Sequence, residues 1–399
     1  MPRGIFPPEY AVPSASPIVT LRLPGHFWSS PSDKERAMTQ LFGKIRSTPL
    51  LWLLIFVPVV LFTEHARPEA HVLLFLLSVL AIVPLAAMLS LATESVAEKT
   101  GDAAGGLINA TLGNLTELVI AVTALAAGQY ALVKASIAGA IVTNALFMLG
   151  ASFLLGGLRH HVQEFNRFGA RFQASMLFIA TVALLVPSAI ATADRATDPA
   201  ALQRLSLLLA VLLIGGYVLG LLFSLGTHKE AFASAERDGH GNALPIGIAL
   251  AVLAAITVLV AMVSHIFVAS VEVAGAALGL SPAFVGFIVV SLVGGAAEFA
   301  SAFSAARKDR LDLSVSIALG SAAQIALFVG PLLVLLSHVI GPVPMGLDFW
   351  PGAIVMMLIA ALSAAMLTHG GHSTWFLGVL VLMVYAIFGL TLYVLPPAQ

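Results

Sequence analysis

The chain has 399 residues, 59% of them hydrophobic and only 10% charged, whereas soluble globular chains carry roughly 25% charged residues. Its 19 Lys plus Arg against 20 Asp plus Glu leave a formal net charge of -1, which offers neither a basic footprint for nucleic acid nor the character of an acidic disordered chain. Cysteine is absent, so disulfides, thiolate metal sites and cysteine nucleophiles are excluded.

Residues 1–47 hold seven of the 21 prolines and scattered charge without a continuous apolar run. They are expected to form a disordered cytoplasmic extension with no signal peptide. Beyond them, apolar runs of roughly 20 residues, the length that crosses about 30 Å of hydrocarbon, recur between Gly, Pro and charge. They fall near 48–64, 70–92, 103–127, 131–157, 172–192, 203–227, 243–269, 280–306, 311–338, 349–368 and 374–395. The expected fold is an all-α polytopic membrane protein of about eleven transmembrane helices, its second domain being a first helix over 48–66. A five-helix unit over 70–227, a cytoplasmic linker over 228–242 and a second five-helix unit over 243–396 follow.

Cytoplasmic loops carry the excess of Lys and Arg. With the N-terminus inside, one side collects Lys34, Arg36, Lys44, Arg46, Lys99, Arg159, Arg167, Arg171, Lys229, Arg237, Arg307, Lys308 and Arg310. The other side holds Arg67, Lys134, Arg195 and Arg204. An odd number of spans then puts the C-terminus on the side opposite the N-terminus. Without a targeting segment, and with many small residues, the chain fits a bacterial inner membrane.

The sequence repeats itself. Residues 106–117 read GLINATLGNLTE and residues 286–298 read GFIVVSLVGGAAE. An offset of 181 residues places Gly113 on Gly294, Glu117 on Glu298, Gly139 on Gly320 and Ala140 on Ser321. An offset of 180 instead places Asn144 on Gln324, and one residue of slip turns a helix by about 100°, so the counterparts of these later polar residues stay open. Units of five spans must insert in opposite orientations, which predicts two inverted repeats with a site near the midplane where they meet.

An ionised carboxylate at the bilayer centre costs at least about 2.5 to 3.5 kcal/mol, so an intramembrane acid is a functional candidate. Glu117 and Glu298 qualify, each preceded by small residues that allow close backbone approach. Two facing carboxylates are neutralised either by protons or by one divalent cation, and that alternative is exchange chemistry. Calcium asks for six to eight oxygen ligands. Asn114 lies three residues before Glu117 on the same helical face, and Thr143, Asn144, Ser321 and Gln324 offer oxygens on the following span of each half. For each of these polar residues an ordinary interhelical hydrogen bond is the competing assignment.

GNLTE followed by KASIAGAIVTN in the first half, and GGAAEFASAFSAARKDRLDLSVSIALGSAAQIALF in the second, resemble the paired signature repeats of calcium/proton exchangers. PLAAMLSLATESVAEKTGDAAGGLINATLGN also resembles that family's second helix and its link to the third. The resemblance implies an eleven-helix antiporter in which Glu117 and Glu298 bind the cation alternately with protons. It further implies that Ser321 and Gln324 line the same cavity and that Glu94 helps form the cation entrance. Where the family usually has Asn and His around its second glutamate this chain has Gly295 and Phe299, and Ala140 stands where a serine is usual.

The expected partners are therefore calcium, or another cation such as sodium, potassium or manganese, together with protons and the lipid bilayer; no nucleic acid and no cofactor are expected. An intramembrane metalloprotease would need a His-Glu-x-x-His helix, and none is present. A channel could also use an acidic constriction, but two acids at inverted positions in one chain fit alternating access better. The topology is open to direct measurement. A reporter fused after residue 40 should report the same side as one near residue 237 and the side opposite to one at the C-terminus. Matching sides for residue 40 and the C-terminus would require an even number of spans.

Overall fold

The structure is a computed structural model that describes residues 49–100, 102–193, 198–232 and 245–397. The expected N-terminal extension and most of the 228–242 linker lie outside the described residues. Among those described, seven helices and two bent pairs are long and apolar enough to cross a membrane, and two shorter apolar helices, Leu50–Ala66 and Pro351–Leu367, accompany them. In chain order they are α1 (Leu50–Ala66), α2 (His71–Thr100), the bent pair α3 (Asp102–Leu112) and α4 (Leu115–Ala126), α5 (Tyr130–His160), α6 (Arg167–Ala193), α7 (Pro199–Thr227), α8 (Ile246–Leu278), the bent pair α9 (Pro282–Gly294) and α10 (Ala296–Arg307), α11 (Leu311–Ser337), α12 (Pro351–Leu367) and α13 (Trp375–Val394).

Helix boundaries follow local chemistry. Asp198 accepts from Ala200 N at 3.0 Å with Pro199 in the first helical position of α7, and Ser281 accepts from Phe284 N at 3.1 Å with Pro282 opening α9. Gly279, at φ 70°, ends α8 in the left-handed conformation that favours glycine. Pro84 and Pro187 sit inside α2 and α6, as membrane helices permit where neighbours re-satisfy the backbone.

Three features differ from the sequence expectation. The second and seventh spans, expected to end near 92 and 269, continue to Thr100 and Leu278, because helix formation does not stop where hydrocarbon does. The third and eighth spans, expected to be continuous, are bent by 42° and 59°. The fold also contains a two-stranded antiparallel ribbon, β1 (Val162–Glu164) with β2 (His372–Thr374), in register Val162↔Thr374.

That ribbon fastens the end of the molecule that carries Arg159, Arg167, Arg171, Arg307, Lys308 and Arg310, the basic end. Buried Gln163 donates through Nε2 to Ala306 O at 3.0 Å and to Asp309 Oδ1 at 2.8 Å, and Asn166 N donates to Asp312. Phe165 N donates to Gly371 O at 2.8 Å, and His160 Nε2 lies 3.1 Å from Arg307 O. At the opposite end Tyr130 Oη donates to Val343 O at 2.6 Å, Lys134 Nζ pairs with Asp348 Oδ1 at 3.0 Å, and Gln129 Nε2 donates to Val268 O at 3.0 Å.

The long helices α2 and α8, the first members of the two halves, pack along each other, with Phe75 stacked on Phe267 at 5.4 Å between ring centroids. Glycines permit the closest approaches. A Cβ on Gly139 of α5 would run into the backbone of Phe287, and one on Gly286 of α9 would lie 2.6 Å from Ala135 Cβ and 2.9 Å from Leu132 O. The non-basic halves of α5 and α9 are thereby interlocked.

The repeat counterparts, Gly320 and Gly105, are not. A Cβ on Gly320 would lie 3.1 Å from Gln173 Nε2, and one on Gly105 would run into the carbonyl of Ala97 in α2. Helix α3 packs on α2 and the end of α7 instead of on α11, leaving Leu107 and Asn109 exposed. The interlock predicts that Gly139→Val is destabilising by about 1–3 kcal/mol or more, read as a lowered unfolding temperature of the detergent-purified protein. An unchanged transition would mean that α5 and α9 do not pack this closely.

Candidate cation site

Glu117 and Glu298 each occupy the third position of a half-helix, α4 and α10, directly after the break in their span. Asn114 and Gly295 are the residues at the two breaks, with φ −98°, ψ 33° and φ −78°, ψ 4°. The offset of 181 therefore holds through this motif in three dimensions. Breaking the helix here leaves N–H groups of α4 and α10 and carbonyls of α3 and α9 without intrahelical partners, which lets irregular backbone line a polar cavity inside the membrane. The small residues make room: a Cβ on Gly113 would lie 2.7 Å from Asn109 O, and one on Gly294 would lie 3.0 Å from Glu117 Cγ. Glu117 thus lies against the last turn of α9, four residues before Glu298.

The two carboxylates are close enough to interact electrostatically, and the Ser321 hydroxyl lies against Glu298. Ser321 is also the centre of a relay that crosses the halves. Asn144 Nδ2 donates to Ser321 Oγ at 2.9 Å, and Ser321 Oγ donates to Asn114 Oδ1 at 2.7 Å. Glu117, Asn114, Asn144, Ser321 and Gln324 are all buried, while Glu298 is half-buried with its Oε2 enclosed and lacking a hydrogen-bond partner. Gln324 turns Oε1 toward the break at Gly113, 3.6 Å from where a Cβ would stand, and its Nε2 is buried without a partner. Six of the eight sequence candidates are therefore gathered around one point.

The other two are elsewhere. Thr143 is buried, but its hydroxyl engages Tyr385 Oη at 3.1 Å on α13 and takes no part in the relay. Glu94 is exposed near the basic end of α2, where it accepts from Ser90 Oγ at 3.2 Å. Helix α5 carries a widened π-helical turn over Thr143–Met148, which includes Asn144, and α11 carries one over Ile325–Val329, directly after Gln324. Such turns insert a residue and re-aim the side chains around them.

Several site neighbours were not singled out from sequence. Gln173 of α6 donates to Ser316 Oγ at 3.4 Å and reaches Gly320; an amide early in an apolar span was its only signal. Ser291 donates to Ser136 O at 3.4 Å and to Gly286 O at 3.3 Å within the α5–α9 interlock. Tyr217 Oη donates to Ala110 O on α3 and its ring stacks on Phe328 at 5.4 Å. Phe147, Phe303 and Tyr385 form an aromatic group with Phe299, the residue that follows Glu298 in the chain.

Two halves of opposite orientation, each delivering one acid from a broken helix to a shared point inside the span, define an inverted-repeat membrane transporter. The chain belongs to the sodium/calcium exchanger protein family, which it matches twice, over residues 70–226 and 248–394. It is 39% identical over 368 residues to a Ca(2+)/H(+) antiporter of Synechocystis, covering 88% of this chain and 98% of that one. It is 36% identical over 327 residues to the Ca(2+)/H(+) antiporter ChaA of Bacillus subtilis, covering 81% and 92%. Among solved structures, native YfkE superposes with a TM-score of 0.76 at 33% identity over 87% of this chain and 100% of that one. The H+/Ca2+ exchanger CAX shares the fold with a TM-score of 0.68 at 16% identity, over 90% and 93%.

Proposed function

We propose that this protein exchanges calcium for protons across a membrane by alternating access, with Glu117 and Glu298 taking up either the cation or protons. The observation that carries the proposal is the convergence of one acid from each half, at the break of its span, on a single buried point. Two carboxylates there repel each other while bare, and a divalent ion or protons remove that cost. The relatives described as Ca(2+)/H(+) antiporters support calcium as the cation.

In this reading residues 70–227 and 243–396 are the two transport halves. Asn114 and Ser321 supply neutral oxygens beside the acids, and Gln324 adds one from α11. Asn144 holds the Ser321 hydroxyl in place by donating to it. Thr143 orients α5 against α13 through Tyr385, and Glu94 attracts cations at the basic end. We assign that end to the cytoplasm from its Lys and Arg excess, with the N-terminus on the same side and a bacterial inner membrane as the location. The interlock of α5 with α9 closes the site at the far end, and the exposed face of α3 leaves it open toward the cytoplasm. Rocking to the other state would release Gly139 from Phe287 and bring α3 against α11.

The test is proton-driven calcium uptake into inverted membrane vesicles. Glu117→Gln and Glu298→Gln should each abolish uptake with the protein still inserted, since an amide keeps the volume but neither releases a proton nor neutralises a cation. Coupled transport retained by either variant would remove that glutamate from the mechanism. In the unaltered protein, protons and calcium should compete, so the half-saturating calcium concentration should rise as pH falls on the same side. A half-saturating concentration that stays flat while activity falls would place the titrating group outside the site.

A further inference from the structure

The two halves of the cation site are unequal, and the inequality has a steric cause. At the break of the first half stands Asn114, whose carboxamide oxygen accepts from Ser321. At the equivalent break of the second half stands Gly295, whose φ of −78° is open to any L-residue, so the backbone does not demand glycine there. Space does. A Cβ on Gly295 would lie 2.8 Å from Cζ and 3.1 Å from Cε1 of Phe299, whose ring folds back over the preceding turn as long helical side chains do.

The ring is held in that position. Phe299 is buried, edge-on to Phe147 at 5.5 Å and stacked with Phe303 at 6.1 Å. Phe147 packs in turn on Tyr385 at 5.3 Å, and Tyr385 is bonded to Thr143. With the 181 offset, the counterpart of Phe299 is Leu118 and that of Ser321 is Ala140. A symmetrical site would carry two carboxamide–hydroxyl pairs. This chain carries Asn114 with Ser321, and at the mirror positions Gly295 and Ala140. Glu298 Oε2, on the stripped half, is buried without a hydrogen-bond partner.

We propose that Phe299 is a specificity-determining residue: its ring fills the place of a second carboxamide at position 295, leaving a one-sided ligand set that lowers calcium affinity and admits magnesium as a competitor. This rests on the exchange reading above. Calcium takes six to eight oxygens in a flexible shell, whereas magnesium closes an octahedron and keeps its waters, so losing a protein oxygen costs calcium more.

The experiment compares the unaltered full-length protein with G295N, F299L and G295N/F299L, the last reproducing the Asn-x-x-x-Leu arrangement of the first half. Purified proteins are assayed for thermal unfolding and, in proteoliposomes, for proton-driven calcium uptake with and without magnesium. G295N alone should lower the unfolding temperature and the uptake, and F299L should relieve both losses in the double variant. The double variant should also lower the half-saturating calcium concentration at least about threefold relative to the unaltered protein, with weaker magnesium inhibition. A G295N protein as stable and active as the unaltered one, or a double variant as impaired as G295N, would overturn the steric claim. Unchanged calcium affinity and magnesium inhibition in a well-folded double variant would overturn the specificity claim. Failure of the unaltered protein to take up calcium against protons would overturn the exchange reading, and this inference with it, while the unfolding temperatures would still report the ring's hold on position 295.

Discussion

Two carboxylates meeting in a region of low dielectric is the constraint around which the rest of the molecule is arranged. Neither can be left bare at low cost, and neither can be brought there by an ordinary helix packed on an ordinary helix. Both spans are broken immediately before the acid, and glycines at 113 and 294 let the chains approach within van der Waals contact of the opposing half. The cost of polar backbone inside a membrane is met because the breaks line the same polar point as the acids. The Asn144–Ser321–Asn114 relay joins α5, α11 and the break between α3 and α4 around that point, so these polar side chains are ordered by one another.

The two halves are packed unequally at corresponding glycines. Gly139 and Gly286 interlock α5 with α9 away from the basic end, while their counterparts Gly320 and Gly105 face other neighbours. Packed surfaces of this kind have discrete arrangements and do not deform continuously. The ribbon of β1 and β2, with buried Gln163 bridging to Ala306 and Asp309, binds the basic ends of α5, α6, α10, α11, α12 and α13 together. Helices α2 and α8 lie outside that fastening and along each other, which separates the molecule into a clasped group and a long-helix pair.

Equivalence of the halves is incomplete where chemistry is concerned. Asn114 and Gly295 hold the same place at the two breaks, yet one offers a carboxamide and the other is covered by the Phe299 ring. The aromatic group behind that ring, Phe147, Phe303 and Tyr385, shows that the substitution at 295 is not an isolated loss. A protein assembled from two inverted copies can thus keep both acids while one position in each copy, Ala140 and Gly295, lacks the side-chain oxygen its counterpart carries.

The sequence by itself determined the all-helical membrane class, the repeat and the two acids, because each of these is written in local composition. Hydrocarbon thickness sets run length, and an acid in an apolar run is visible without any contact map. It also contained Asn114, Ser321, Asn144 and Gln324 as oxygen bearers, but their spacing along two helices left their partners open. Only the tertiary structure decided that Ser321 sits between two asparagines, that Thr143 turns to Tyr385, and that Glu94 stands apart from the others. The reason is that one residue of slip turns a helix by about 100°, and both α5 and α11 widen by a π-helical turn next to the site, so facing directions are set by packing. The loop ribbon and the ring over Gly295 were likewise beyond reach of sequence, since each depends on segments far apart in the chain, or on a rotamer fixed by distant neighbours, being brought to the same few ångströms.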